Sequence, residues 1–343
     1  MKKYLQIIFW IIFFLFLTLI FWKEYIDFHF KKNIDKNNIS YINQKLKNFS
    51  KNKIKLIKNI NIFSSKENFL KQKIIKKINS AKNKIFIEIY LLTDQEIKNA
   101  IIKAKKRWIK IKIILEKNIY KSRNLNLKNF LEFKKNKIDI VWSNPKNYKL
   151  NHSKLLIIDN LLILSTWNLT KTTFTKNKDF FIFCYDKKIK NKFEKIFLND
   201  FLWKKINIYD ENIILSPNYS KQKFDKLFSQ TKKSIKMYIP YLWDNFELKL
   251  IKKAKQHINL QIIFWDYKSN DKKIEKLKKF NIKIKKLKKI HSKIFLIDNE
   301  ILYIWSTNFD SNSIEKNREM GLLIKNPKII KKFLDYFKKD FWE

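Results

Sequence analysis

Two short runs, His152-Ser153-Lys154 and His291-Ser292-Lys293, hold the residues of this chain best suited to chemistry. In each, imidazole and ammonium are two residues apart, which puts them on one face of an extended segment. An acid follows five residues after each lysine, Asp159 and Asp298. Next come Ser165-Thr166-Trp167-Asn168 in the first copy and Ser306-Thr307-Asn308 in the second. Lys176-Asn177-Lys178-Asp179 and Lys316-Asn317-Arg318-Glu319 then supply one further carboxylate each. Imidazole titrates near pH 6.5, so one ring can be neutral while the other carries a proton. A phosphodiester between them would meet a nucleophile on one side and an acid for the departing alkoxide on the other. Afterwards the ring that gave its proton deprotonates water or an alcohol. Lys154, Lys293, Asn168 and Asn308 would hold the non-bridging oxygens, with the hydroxyls of Thr166 and Ser306 as added donors and no metal ion or cofactor in the scheme. Asp179 and Glu319 would fix the ring tautomers, and pairing within or across the copies is equally open. Asp159 and Asp298 stand where an apolar run ends and are expected to brace a turn.

A single run of this kind is equally well a strand with a surface histidine. Duplication changes the weighing, because two of only four histidines fall at equivalent points of one pattern. Of the others, His29 lies beside an N-terminal apolar run, and His257 follows a helical stretch that it is expected to end.

The elements around the motifs repeat too. Ile85–Leu91 reads as a buried strand and Gln95–Arg107 as a helix with Ile97, Ala100, Ile101 and Ala104 on one face; Ile109–Leu115 alternates like a strand. Ile235–Ile239, Glu247–Gln256 and Leu260–Phe264 give the same order in the second half. The expected fold class is therefore α/β: two similar α/β/α lobes, each a mixed sheet flanked by helices, at residues 59–205 and 206–343.

Residues 4–22 are uncharged and flanked by Lys2, Lys3, Lys23 and Glu24. At about 1.5 Å per residue they reach roughly across a bilayer's hydrocarbon core, and no small-residue cleavage site follows. Residues 1–30 are expected to be a single-pass transmembrane helix with the body outside the cytoplasm, and 31–58, rich in Lys and Asn, a linker. Composition narrows the function. One cysteine excludes a disulfide framework, and a single glycine, Gly321, excludes glycine-rich nucleotide-binding loops. With 45% hydrophobic residues the chain is no disordered basic tail, while 76 Lys+Arg against 31 Asp+Glu, a net +45, points to anionic partners: a phospholipid membrane or nucleic acid. No obligate protein partner is implied.

The two motif sets together resemble the paired H-x-K-x4-D-x6-G-S-x-N signature of the phospholipase D superfamily, over about residues 60–343. Tyr90-Leu91-Leu92-Thr93-Asp94 and the segment from Arg107 to Leu115 resemble a lobe of its nucleases. The resemblance implies a membrane-anchored phosphodiesterase or phosphatidyltransferase working through a phosphohistidine, with His152 as nucleophile, His291 as acid and phospholipid the favoured substrate, as in cardiolipin synthase-like members. The alternatives are an endonuclease of the same superfamily, or an inactive membrane protein that retains a phosphate pocket.

The chain departs from that signature where glycine is expected: Ser165 and Trp305 stand before the Ser/Thr-x-Asn stretches, and Trp108 stands between a helix and a strand, where a left-handed cap is wanted. Misreading of UGA codons that specify glycine would produce such a pattern.

Overall fold

The computed structural model describes residues 18, 40–120, 124–206, 208–306 and 310–343. The chain divides into two units, Met1–Asn48 and Phe49–Glu343. In the first, residues 40–47 are helical. Of the expected membrane span only Thr18, also helical, is among the described residues. Among the described residues no helix is long and apolar enough to cross a membrane.

The second unit carries two seven-stranded sheets. The first has the order β1 (Ile60–Ser64), β7 (Phe180–Cys184), β6 (Leu161–Ser165), β5 (Lys154–Ile158), β2 (Lys84–Ile89), β3 (Lys110–Leu115), β4 (Asp139–Trp142). The second runs β8 (Ile213–Ser216), β14 (Glu319–Ile324), β13 (Ile301–Trp305), β12 (Ile294–Ile297), β9 (Ser234–Ile239), β10 (Asn259–Trp265), β11 (Lys283–Leu287). The orders are the same, element for element. β2, β3 and β4 are parallel, as are β9, β10 and β11, and the remaining pairings are antiparallel, so both sheets are mixed. The parallel thirds exist because a helix crosses over after each strand, Gln95–Lys106 after β2 and Asp244–Lys255 after β9.

Hydrophobic periodicity fixes the layers. Ile97, Ala100, Ile101 and Ala104 bury one face of Gln95–Lys106 against Ile85, Ile87 and Ile89 of β2. Asp94 caps that helix by accepting from the Ile97 amide. Phe193 and Phe197 of the helix Lys187–Phe201 are fully buried, and Phe197 stacks on Phe86 of β2, centroids 4.9 Å apart. The second lobe builds an equivalent core from Ile235, Met237, Leu250, Ile262, Phe295 and Tyr303.

One sequence expectation changes. Residues 49–58, expected to lie in the linker, are part of the folded body: Phe49 and Ile54 are buried in the second lobe's core, and Lys51 pairs with Asp298 at 2.5 Å. The scattered apolar positions of that stretch are anchors, not relics of a tether. Trp305, standing where the resemblance implies glycine, is 1% exposed and packs against Tyr303. The sole glycine makes the room. Gly321 is the register partner of Trp305, and a Cβ there would meet the Ile304 carbonyl at 2.7 Å and the indole Cδ1 at 2.9 Å.

Candidate active site

Each His-x-Lys run enters its sheet on the strand next to the parallel third: His152 just before β5, His291 just before β12. The two lobes exchange backbone hydrogen bonds at these points. The His152 amide donates to the Arg318 carbonyl at 2.9 Å, and the Arg318 amide donates to the Leu150 carbonyl at 2.8 Å. The other side mirrors this, with His291 donating to the Lys178 carbonyl and Lys178 to the Lys289 carbonyl. Ser153 and Ser292, the middle residues of the runs, send their hydroxyls to those same carbonyls, of Arg318 at 3.4 Å and Lys178 at 2.5 Å. Each lobe thus docks its histidine beside the residue that precedes the other lobe's acid.

Ion pairs follow the same exchange. Arg318, fully buried, bonds to Asp200 of the first lobe at 2.9 Å, to Ser216 and to the Tyr148 hydroxyl; Lys178 bonds to Asp340 of the second at 2.6 Å. Glu116 holds the approach to His152 by accepting from the amide of Asn151 and the hydroxyl of Ser143, both at 2.7 Å.

The acids resolve in one direction. Glu319 faces His152 across the lobes, its oxygens 3.1 and 3.2 Å from Nδ1. With Nδ1–H donating to a carboxylate, the lone pair of His152 is on Nε2. His291 has other company. The Lys293 ammonium lies 2.6 Å from its Nδ1 and 3.3 Å from Nε2, so the shorter contact makes Nδ1 an acceptor and leaves the proton on Nε2. Trp167 closes on the same ring, centroids 3.3 Å apart and planes at 71°, with Lys293 Nζ 5.5 Å from the indole centre. Asp179, the counterpart of Glu319, accepts from Thr166 at 2.8 Å, and its Oδ2 is buried with no partner among the described residues.

Thr166 and Ser306 are therefore not placed as expected. Each donates to the acid on the neighbouring strand, Thr166 to Asp179 and Ser306 to Glu319, and each accepts from the next backbone amide, of Phe180 and Met320. Facing a strand neighbour across the ladder, these hydroxyls are taken up by the acids, and they position carboxylates. Asp159 and Asp298 clasp backbone amides: those of Lys82, Asn83 and Lys84 ahead of β2, and of Lys232, Lys233 and Ser234 ahead of β9. Both have positive φ, near 50°, in the turn after the strand. Asn168 is buried, its Oδ1 without a partner among the described residues. Asn308 lies outside the described residues.

Electrostatics tie the rest together. Burial, then Lys154, pushes His152 down to about 4, despite Glu319. Burial, then Lys293, His152 and Lys154, holds His291 well below its usual range. Lys154 is pushed well below its ordinary value and Lys293 down to about 7, by burial that nearby Glu319 and Asp179 only partly offset. Asp179 is raised to about 7, also by burial. Four cationic or potentially cationic groups from two lobes thus act on one another in a buried setting. That arrangement gains most from an anion. Among the described residues no group of three or more His, Cys, Asp or Glu side chains is placed to hold a metal ion.

Sequence reasoning missed Trp167 as a neighbour of His291, the serines inside the His-x-Lys runs, and Tyr90, whose ring meets that of His152 edge-on at 5.0 Å. The serines were visible as identical residues in both copies, and Tyr90 as the end of a strand neighbouring β5. Nothing in the spacing of Trp167 pointed across the lobe boundary.

A duplicated α/β body in which each half supplies one His-x-Lys run to a common set of cations defines the phospholipase D-like class. Residues 74–201 and 224–342 match the family described as cardiolipin synthase, PLD-like domain, and the chain belongs to it. A segment of 129 residues is 31% identical to cardiolipin synthase 1 of Staphylococcus epidermidis, covering 34% of this chain and 26% of that protein. Among solved structures, the fold is similar to phosphatidylserine synthase of Haemophilus influenzae (TM-score 0.71, 14% identity, 88% of this chain and 90% of that one). It is also similar to polyphosphate kinase of Porphyromonas gingivalis (TM-score 0.66, 13% identity, 83% and 51%).

Proposed function

We propose that this protein is a membrane-anchored phosphatidyltransferase that moves a phosphatidyl group between alcohols through a phosphohistidine. The observation that carries the reading is the opposite dress of the two rings: His152 presents a bare Nε2 behind a Glu319-held Nδ1, while His291 presents Nε2–H. Once the bound diester has made His291 an imidazolium, His152 attacks phosphorus, and the bond to the leaving alcohol breaks as that oxygen takes a proton from Nε2 of His291, leaving that ring neutral. Lys154, Lys293 and Asn168 hold the non-bridging oxygens as charge builds on them. An incoming alcohol then gives its proton to His291 and displaces His152, which restores both rings.

Burial first, and the neighbouring cations second, make the histidines of the free site titrate low, and burial does the same to its lysines. The diester supplies negative charge, and so raises the proton affinity of His291 at the moment an acid is needed. The kinship with cardiolipin synthase 1 and the expected anchor in residues 4–22 favour phospholipid. The basic surface, net +45, serves an anionic leaflet.

The test is headgroup exchange. Full-length protein in phospholipid vesicles with an added primary alcohol is expected to form the new phosphatidyl-alcohol, and neither His152→Ala nor His291→Ala protein to do so. Salt-sensitive cleavage of DNA with no lipid product would make the protein a nuclease, and binding of the diester with no turnover would make it a silent phosphate-binding relative.

A further inference from the structure

Beyond the end of β9 and β10, on the same sheet edge as His291, the second lobe carries a group of partly exposed aromatic rings. Tyr241 follows Tyr238 by three residues, and His291 precedes Ile294 by three; Tyr238 and Ile294 are register partners, so both segments leave the sheet side by side. Tyr241, Trp265 and Tyr267 touch one another, with centroids 5.1 to 5.9 Å apart, and Trp243 beside them is 51% exposed. The Asp266 amide bonds to the Leu287 carbonyl at 2.8 Å, and from there the exposed Lys288 and Lys289 lead along the chain to His291. The equivalent edge of the first lobe also exposes an aromatic ring, Tyr120, but is built otherwise around it: Glu116 is buried on backbone amides, and Trp142 is stacked on Phe130 at 4.0 Å.

We infer that this aromatic and lysine edge of the second lobe is the surface on which the body sits on an anionic phospholipid bilayer, orienting His291 toward the headgroups. The inference rests on the phosphatidyltransferase reading and names the surface that reading requires. Tyrosine and tryptophan, apolar with a polar tip, are the side chains that settle at headgroup level, and ammonium groups beside them meet lipid phosphates. The same composition could stack the bases of a single strand, but the ring geometry argues otherwise. Trp265 and Tyr267 are stacked on each other, interplanar angle 26°, so each covers one face of the other, and Tyr241 stands at 83° to Tyr267, so the three rings do not form a row of parallel platforms for successive bases.

Full-length Tyr267→Cys protein carrying a fluorophore at that position is reconstituted in vesicles whose lipids bear quenchers at the headgroup; the native Cys184 is buried and stays unlabelled. A probe at exposed Lys103→Cys, on the helix Gln95–Lys106, is the control. Quenching at 267 is expected to exceed that at 103 at least threefold in vesicles containing phosphatidylglycerol, and to fall severalfold when Lys288→Glu and Lys289→Glu are added. The combined Tyr241→Ser, Trp265→Ser and Tyr267→Ser changes are expected to lower turnover on vesicles at least tenfold more than turnover of a short-chain phospholipid dispersed as monomers. Equal quenching at 267 and 103, an equal loss on both substrates, or protection of the 267 probe by a single-stranded oligonucleotide but not by lipid would overturn the inference. If the unaltered protein turns over neither lipid, the phosphatidyltransferase reading fails, while the quenching measurement still reports on the surface.

Discussion

His152 and His291 carry the same motif yet keep different company, and the difference predicts different failures. With a nitrophenyl phosphodiester, whose leaving group needs no proton, His291→Ala should still form the covalent intermediate but accumulate it, because no base remains for the second step. His152→Ala should form none; rapid quenching of labelled protein reads both. Glu319→Gln keeps the shape but removes the charge that stabilises His152 as its ring becomes cationic, and turnover is expected to fall about 10²–10⁴-fold with little change in substrate affinity. The low-titrating rings and lysines set a pH dependence. In the free protein His152 is protonated only near pH 4, and a bound diester raises its proton affinity and that of its neighbours. The complex then holds more protons than the free protein. Binding of a dialkyl phosphate, whose single charge is constant over this range, should therefore tighten as pH falls from 7 to 5, by up to about tenfold per unit for each proton taken up. Calorimetry in two buffers of different ionisation enthalpy would read the uptake directly; proton release would contradict it. The chemistry-bearing residue types were legible at this scale because they occur twice. Trp167 was not, because its contact with His291 depends on how two lobes meet.

Helix ends and strand registers carry the next level of the account. The residues after the caps of four helices, Trp108, Lys137, Trp203 and His257, all have φ between 55° and 65°, the left-handed region that glycine enters most easily. A chain with one glycine pays for this four times over, at about 1 kcal/mol or more per position. Trp108 is 93% exposed and contributes little packing in return, so Trp108→Gly is expected to stabilise the protein by about 1 kcal/mol in denaturant titrations. The peptide mass at this position would also show whether the natural protein already has glycine there. Trp305 differs: its indole fills the second lobe's core above Gly321, so Gly321→Ala should be strongly destabilising, since backbone at 2.7 Å cannot yield cheaply. Strand and helix identities were readable from period and alternation, as in Gln95–Lys106, and His257 does follow a helix end. The packing of residues 49–58 was hidden because isolated apolar positions such as Phe49 and Ile54 have no period until a groove receives them.

At the scale of the whole body, the lobes are interlocked through the same segments that carry the site. Arg318, one residue before Glu319, is buried against Asp200, and Lys178, one residue before Asp179, forms a half-buried pair with Asp340. Removing one partner leaves a charge without its counterion, so Asp200→Ala should cost about 3–5 kcal/mol and lower activity through the tilt of Glu319 against His152. The duplication itself was legible from text that repeats, and the matching strand orders show it as architecture. The crossing of Glu319 to His152 stays open in the sequence, because spacing along the chain does not say which lobe's acid lies nearer a given ring.

The central claim is that His152 becomes covalently bonded to phosphorus. Full-length protein mixed with phospholipid labelled at phosphorus, quenched within one turnover and digested, is predicted to yield an acid-labile, base-stable phosphoryl adduct on the peptide containing His152, absent from His152→Ala protein. Labelling of the His291 peptide instead, or steady turnover with no labelled peptide at any quench time, would contradict it.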